Sequence, residues 1–324
     1  MNISIECDHH ELFCDITNQL GIKETIYLKK MDYHFIIQAC SKLEDSAFHL
    51  KNNVPHFTNH INIENIHLDA YYYCDKSKYI IYYENLAYIS IFENKVFVNY
   101  NLEKLNNVYH SVYSPYLLCT SLLYELFAIK GHYLIIHASG IAKKGKGVIF
   151  LAKKGSGKST LSLSMSLTCQ YDYLSDDKII YNRDEHLIHS IPDVIRLNKD
   201  VYHTIFPHDT NSNMKLSVFR DKFVINLAQL PLNYSSYTIP NIIIVPSINH
   251  DCENLFEATE ASTIEILDEM LQHRIVAFEQ SQSEIIQNAF SIINKCKRYT
   301  LKLGRQVDYN IHSLNQFINN ELGI

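Results

Sequence analysis

The chain lacks a basic excess. Lys and Arg total 29 against 35 Asp and Glu, a net charge of −6, so no cationic surface marks it as a nucleic-acid binder. It lacks a long apolar run: the longest, YLLCTSLLYELFAI at 116–129, has 14 residues and contains Glu125, whereas a membrane span needs about 18. No basic segment followed by an apolar block opens it, so no signal peptide is expected. No CxxC occurs among the eight cysteines, at 7, 14, 40, 74, 119, 169, 252 and 296. Their wide spacing fits reduced thiols in a cytoplasmic protein and gives zinc no support. The His-rich stretch DHHE, Asp8 to Glu11, reads as a solvated terminal turn rather than a metal site.

What is present describes a folded globular protein. Hydrophobic residues make up 47% and charged residues 20% of 324 positions, enough for one large or two ordinary domains. Glycine is scarce, nine in all, yet Gly140, Gly145, Gly147, Gly155 and Gly157 fall within 18 residues. Permissive backbone is concentrated where tight turns or a close ligand need it.

Residues 1–110 read as a β-rich N-terminal domain. ETIYLKK, YHFIIQA, YIIYYE, AYISIF and KVFVNY are Ile-, Val-, Tyr- and Phe-rich runs between polar turns. The domain carries no chemical motif; it is either a substrate-recruiting module or a packing layer. Residues 111–324 alternate strands with helices, the pattern of an α/β core. A helix is expected over 114–131, with Ser114 as N-cap and Pro115 at N1. HYLIIHASG is expected as one buried strand, IAKKGKG as a hairpin and VIFLA as a strand. Capping boxes at Ser262 with Glu265 and Ser281 with Glu284 open two further helices. RYTLKL is a period-two strand, and HSLNQFINN a closing helix.

Between VIFLA and the apolar helix STLSLSMSL stands AKKGSGKS. It matches GxxxxGK[ST] except that Ala152 replaces the first glycine. The chemistry is that of a phosphate grip. Backbone N–H groups around Gly155, Ser156, Gly157 and Lys158 can wrap an anion, and the helix that follows aims its positive end at it. Lys158 then reaches the β- and γ-phosphates, while Ser159, followed by Thr160, offers a hydroxyl to Mg²⁺.

About 16 residues on, LSDD supplies Asp176 and Asp177. At the end of the strand after the loop helix, one carboxylate can hold Mg²⁺ and the other can take a proton from an attacking hydroxyl. His137, in IIHAS, lies on the strand before the hairpin. A lone histidine on an apolar strand is ordinarily a satisfied core residue, so His137 alone is a weak signal.

Taken together, LIIHASG, GVIFLAKKGSGKSTL and YLSDDKIIY resemble the catalytic domain of HPr kinase/phosphorylase, and more closely the HPr-kinase-like proteins of bacterial peptide-modification and biosynthetic clusters. The resemblance covers roughly residues 115–310, and the tail RYTLKLGRQVDYNIHSLNQFI is similar to the family's ending. It implies the α/β P-loop kinase core shared with phosphoenolpyruvate carboxykinase. It implies that residues 155–160 hold ATP, that one of Asp176 and Asp177 is the catalytic acid/base, with Asp176 preferred, and that the other joins Ser159 on magnesium. It raises His137 to an active-site residue beside Lys158. It adds Arg196 and Lys222 as charge partners, arginine being suited to bidentate phosphate contact. The chain departs from the HPr enzyme in carrying Thr160 where an acidic residue follows the loop serine, and IPDVIRLN where a glycine-rich signature stands. Its first 110 residues also differ from that enzyme's N-terminal domain, which points away from HPr as acceptor and from the reverse reaction.

The expected activity is therefore an ATP- and Mg²⁺-dependent kinase. It would transfer the γ-phosphoryl group to a hydroxyl, serine by preference, on a peptide or protein, or on a small molecule. Neither nucleic acid nor membrane is an expected partner, and self-association is left open. The alternative is a nucleotide-dependent switch or accessory ATPase, which the same glycine loop would serve.

Overall fold

The computed structural model describes residues 3–7, 33–39, 55, 57–63, 66–75, 78–84, 86–92, 95–101, 132–153, 155–190, 195–206, 217–219, 222–225, 230–273 and 281–324. The expected strand over 24–30, the helix over 114–131 and the DHHE turn lie outside these residues. The chain divides into two compact units, Met1–Leu122 and Leu123–Ile324. The whole is α/β in the broad sense, with a β-rich N-terminal region. None of the described helices is long and apolar enough to cross a membrane.

The first unit holds one seven-stranded sheet. Its strands are β1 (Ile3–Cys7), β2 (Tyr33–Ala39), β3 (Phe57–Ile63), β4 (Ile66–Asp75), β5 (Lys78–Tyr83), β6 (Ala87–Phe92) and β7 (Lys95–Tyr100), in the order β1-β2-β7-β6-β5-β4-β3. From β3 to β7 it is an antiparallel meander; β1, β2 and β7 run parallel. The period-two pattern is visible in β7, where Val96, Val98 and Tyr100 are buried and Lys95 and Phe97 are exposed, as a sheet with one covered face requires.

The second unit begins with β8 (Tyr133–Ile136), β9 (Ser139–Lys143), β10 (Lys146–Phe150) and α1 (Lys158–Thr168). There follow β11 (Asp172–Ser175), β12 (Ile179–Asn182), β13 (Leu187–His189), β14 (Ile195–Asn198), α2 (Lys199–Ile205), β15 (Ser217–Phe219), β16 (Lys222–Ile225), β17 (Tyr237–Ile248) and β18 (Phe256–Glu260). The chain ends with α3 (Thr263–Gln272), α4 (Gln282–Ile293), β19 (Lys297–Leu303) and α5 (Val307–Leu322). The main sheet runs β11-β9-β10-β17, and the long β17 then pairs along two stretches. Its start pairs β13, leading on to β12 and β8; its later residues pair β19, which carries β18. β10, β17 and β19 are parallel, and β9 is antiparallel to both β10 and β11. A separate sheet has the order β14-β16-β15.

Alternation along β10 and β17 sorts the core into two layers. Val148, Phe150, Ile242 and Ile244 pack with Leu161 and Met165 of α1 and with Ile311, Leu314 and Ile318 of α5. Ile149, Leu151 and Ile243 pack with Ile266 and Met270 of α3 and with Ile285, Ala289 and Ile292 of α4. Helices thus cover both faces, which is why β10 reads as an unbroken apolar run. Each such buried side chain is worth about 1.5–3 kcal/mol. Both expected capping boxes form, with Ser262 and Ser281 accepting from the Glu265 and Glu284 amides at 3.2 Å. The β9–β10 hairpin turns through Lys144 and Gly145, both at positive φ (52° and 75°), the geometry that matches strand twist in a two-residue turn.

One expectation is corrected. HYLIIHASG is not one strand: β8 ends at Ile136 and β9 starts at Ser139, leaving His137 and Ala138 between them. The two pieces belong to different pairings, β8 with β12 and β9 with β10 and β11. The chain must change direction at His137 to serve both. In YDYLSDDKIIY the expected strand end holds: β11 stops at Ser175 and β12 starts at Ile179, with Asp176 and Asp177 in the turn between them.

Candidate functional site

The carboxyl ends of β10, β11, β17 and β19 lie along one edge of the sheet, since all four run the same way. That edge is where ligands sit in open α/β sheets, because the loops that leave it precede helices. Leaving β10, residues 151–157 make the glycine loop. Gly155 (φ 88°) and Gly157 (φ 89°) are both left-handed, a backbone state that glycine alone enters freely. Gly157 is the N-cap of α1; no side chain caps the helix and no acidic residue occupies its first turn. Its leading N–H groups therefore have no carboxylate of their own helix to neutralise them, and their dipole favours an anion.

Lys158 opens α1 and is 6% exposed. Its Nζ donates to the Ala152 and Lys153 carbonyls, the second at 3.1 Å. Burial pushes its pKa down; Asp177, Asp176 and Glu269 act in the other direction, in that order. The buried Ser139 hydroxyl donates to the Lys158 carbonyl at 3.1 Å, which ties the start of β9 to the start of α1. Ser156 donates to the Lys153 carbonyl at 2.8 Å and tightens the loop. Ser159 and Thr160 follow Lys158 in the first turn of α1, both partly exposed.

Asp176 and Asp177 leave β11 on the same edge. The turn is shaped by buried Ser175, whose hydroxyl oxygen accepts from the Lys178 amide at 3.2 Å. The break at His137 now has a consequence: its Nδ1 lies 3.0 Å from Asp177 Oδ1. His137, Asp177 and Lys158, picked from three separate motifs, thus converge on one cluster. Arg196 and Lys222 lie on the small sheet, where Arg196 pairs with Val224 and Asn198 with Lys222. That sheet joins α1 through a shared core of Ile195, Leu197 and Leu163.

Sequence reasoning missed Glu269 and His273. They stand at i, i+4 at the end of α3, with His273 Nε2 3.2 Å from Glu269 Oε2. The His273 carbonyl accepts the His137 amide at 2.8 Å, and the two rings lie 6.5 Å apart between centroids. Burial lowers the His273 pKa; Glu269 opposes this, and Lys158 and His137 reinforce it. The only trace in the sequence was the i, i+4 spacing, which many solvated helix faces share.

The loop borders a cavity of about 270 Å³. Its walls come from Ser156, Gly157 and Thr160, from α2, and from the loops that follow β17 and β19. The loop after β19 is fastened by backbone bonds from Gly304 to Leu255, Arg305 to Cys252 and Gln306 to Glu253, each 2.9 Å.

These elements fit a phosphate ligand with a divalent cation: an uncapped helix start, a desolvated ammonium and two carboxylates at one edge. Among the described residues no group of three or more His, Cys, Asp and Glu side chains could by itself hold a metal. A cation bound here would share its coordination with phosphate oxygens and the Ser159 hydroxyl, as is usual for magnesium. Compared with known proteins, no family model matches the chain and no curated protein matches its sequence.

Proposed function

We propose that the chain is an ATP- and Mg²⁺-dependent kinase with a P-loop core of the HPr kinase type, acting on a hydroxyl, serine by preference, of a peptide or protein. The observation that carries this reading is the 3.0 Å approach of His137 Nδ1 to Asp177 Oδ1 on the same sheet edge as the glycine loop. A loop alone would serve any nucleotide binder. A carboxylate pair on the same sheet edge as the loop is what transfer to a hydroxyl needs.

In this reading the backbone amides of residues 155–158 and the Lys158 ammonium hold the phosphates. Magnesium, bound through Ser159 and Asp177, supplies charge neutralisation. Asp177, held beside His137, is given this role. His137 keeps the Asp177 carboxylate in place. Asp176 accepts the proton of the acceptor hydroxyl as its oxygen bonds to the γ-phosphorus and the bond from that phosphorus to the β–γ bridging oxygen breaks, releasing ADP. A positioned base of this kind contributes about 10²–10⁴ in rate.

The test is intact-mass measurement of serine peptides, HPr and free serine after incubation with the protein, ATP and Mg²⁺. A single phosphate gain on one acceptor, abolished in Asp176→Asn, supports the kinase. Steady ATP consumption with no acceptor modified would replace it with the switch ATPase.

A further inference from the structure

His137 sits where one strand stops and another starts, and its backbone needs a partner there. β8 stops at Ile136 and β9 starts at Ser139, so the His137 amide belongs to neither ladder. An amide left unpaired inside a packed region costs free energy. This one donates to the His273 carbonyl at 2.8 Å. His273 is the C-cap of α3, and the last carbonyls of a helix have no partner within it. Each group satisfies the other, and the bond joins the end of α3 to the break. Met270, in the last turn of α3, shares its core with Ile136 and Ala138, the two neighbours of His137.

Glu269 holds that helix end twice. Its carbonyl accepts the His273 amide at 3.1 Å, and its Oε2 lies 3.2 Å from His273 Nε2. Both side-chain atoms are buried, and among the described residues neither has another hydrogen-bond partner. A carboxylate loses much hydration in such a place, more than ending a helix requires. The pair also stands within electrostatic reach of the site: Glu269 acts on Lys158, and Lys158 and His137 act on His273.

On its other side His137 presents Nδ1 to Asp177 Oδ1 at 3.0 Å. A carboxylate only accepts, so that nitrogen carries the proton. The contacts therefore run without a gap from Glu269 through His273 and His137 to Asp177. We propose that Glu269 and His273 are positioning residues for the transfer. They hold the last carbonyl of α3 against the His137 amide, and through His137 they keep the Asp177 carboxylate where magnesium needs it. The effect on rate rests on the kinase reading; the geometry is testable without it.

Two readouts on the full chain separate the outcomes. With isotope-labelled histidine, the His137 ring N–H bonded to Asp177 should give a downfield proton resonance, identified by its absence from His137→Gln. Glu269→Ala should shift or remove it. Glu269→Gln, whose amide oxygen still accepts from His273 Nε2, should keep it. In magnesium titrations of phosphoryl transfer, Glu269→Ala should lower kcat about tenfold and raise the Mg²⁺ concentration for half-maximal rate by about the same factor. The KM for ATP should stay unchanged, and Glu269→Gln should restore most of both losses. If Glu269→Ala does not fold, His273→Leu takes its place, since it cuts the same tie and leaves the carbonyl. An unaltered resonance in the folded variant overturns the positioning. A displaced resonance with unaltered magnesium dependence overturns its link to transfer. If wild type modifies no acceptor, the kinase reading fails, and the resonance alone then decides the positioning.

Discussion

The two flanks of the glycine loop differ in kind. On the β9–β11 flank, charged groups crowd together: His137 against Asp177, both near Lys158, with Glu269 and His273 behind them. Around the cavity at the start of α1, walled by α2 and by the ends of β17 and β19, the lining is largely apolar, and the Asn310 amide is held by the Gly304 carbonyl. In the proposed reading the first flank moves a proton and shares a cation with the phosphate oxygens. The second can recognise shape.

The comparison is broken most directly at the charged flank. Asp176→Asn is expected to lower transfer by about 10²–10⁴ with nucleotide affinity retained. Asp177→Asn should raise the Mg²⁺ concentration needed for half-maximal rate. Single-turnover kinetics with magnesium titration reads both, and full transfer by Asp176→Asn would remove it as the base. Lys158→Ala, at the boundary of the flanks, should weaken Mg-ATP and Mg-tripolyphosphate alike, by about 10–100-fold for loss of a charge-assisted bond. Calorimetry that shows ATP weakened and tripolyphosphate untouched would place Lys158 on the nucleoside instead.

The neutral flank is tested by Gly304→Ala. A Cβ there would lie 2.2 Å from the Glu253 carbonyl oxygen, a backbone atom that cannot swing away. Overpacking of this kind costs roughly 1–3 kcal/mol. The expected result is a lower urea midpoint. A midpoint equal to wild type would show the loop after β19 to be loosely fastened.

The smallest effect is on pH. His273 has its pKa lowered by burial from the ordinary 6.5, so the unfolded chain binds the proton more readily. Stability should then fall as pH drops through 6.5, with the loss complete once pH is below the folded-state pKa. His186 and His189, also lowered by burial, slope the same way. Denaturant melts from pH 7.5 to 5 should show the slope, shallower in His273→Gln; an unaltered slope would assign it to the other two histidines.

Much of this site was legible from residue order. The glycine loop announces itself because the left-handed turns at 155 and 157 demand glycine, and a strand and a helix flank it. The capping boxes at Ser262 and Ser281 are local hydrogen-bond patterns and formed as read. The interruption at His137 was not legible: IIHAS is apolar enough to continue as a strand, and only the competing pairings of β8 and β9 force the turn. Nor were Glu269, His273 or Asn310, because each looks like an ordinary polar residue on an amphipathic helix.

By itself, then, the sequence determined what depends on neighbours along the chain: the α/β alternation, the loop that suits an anion, the helix starts at Ser262 and Ser281 and the positions of His137 and the two aspartates. The tertiary structure alone decided what depends on strand order. Pairing across the sheet set His137 against Asp177, 40 residues apart. It brought Glu269 and His273 behind them, and gathered the loop, α2 and the ends of β17 and β19 around one cavity. Those distances belong to contacts between residues far apart in the chain, and no local pattern encodes which strand will lie beside which.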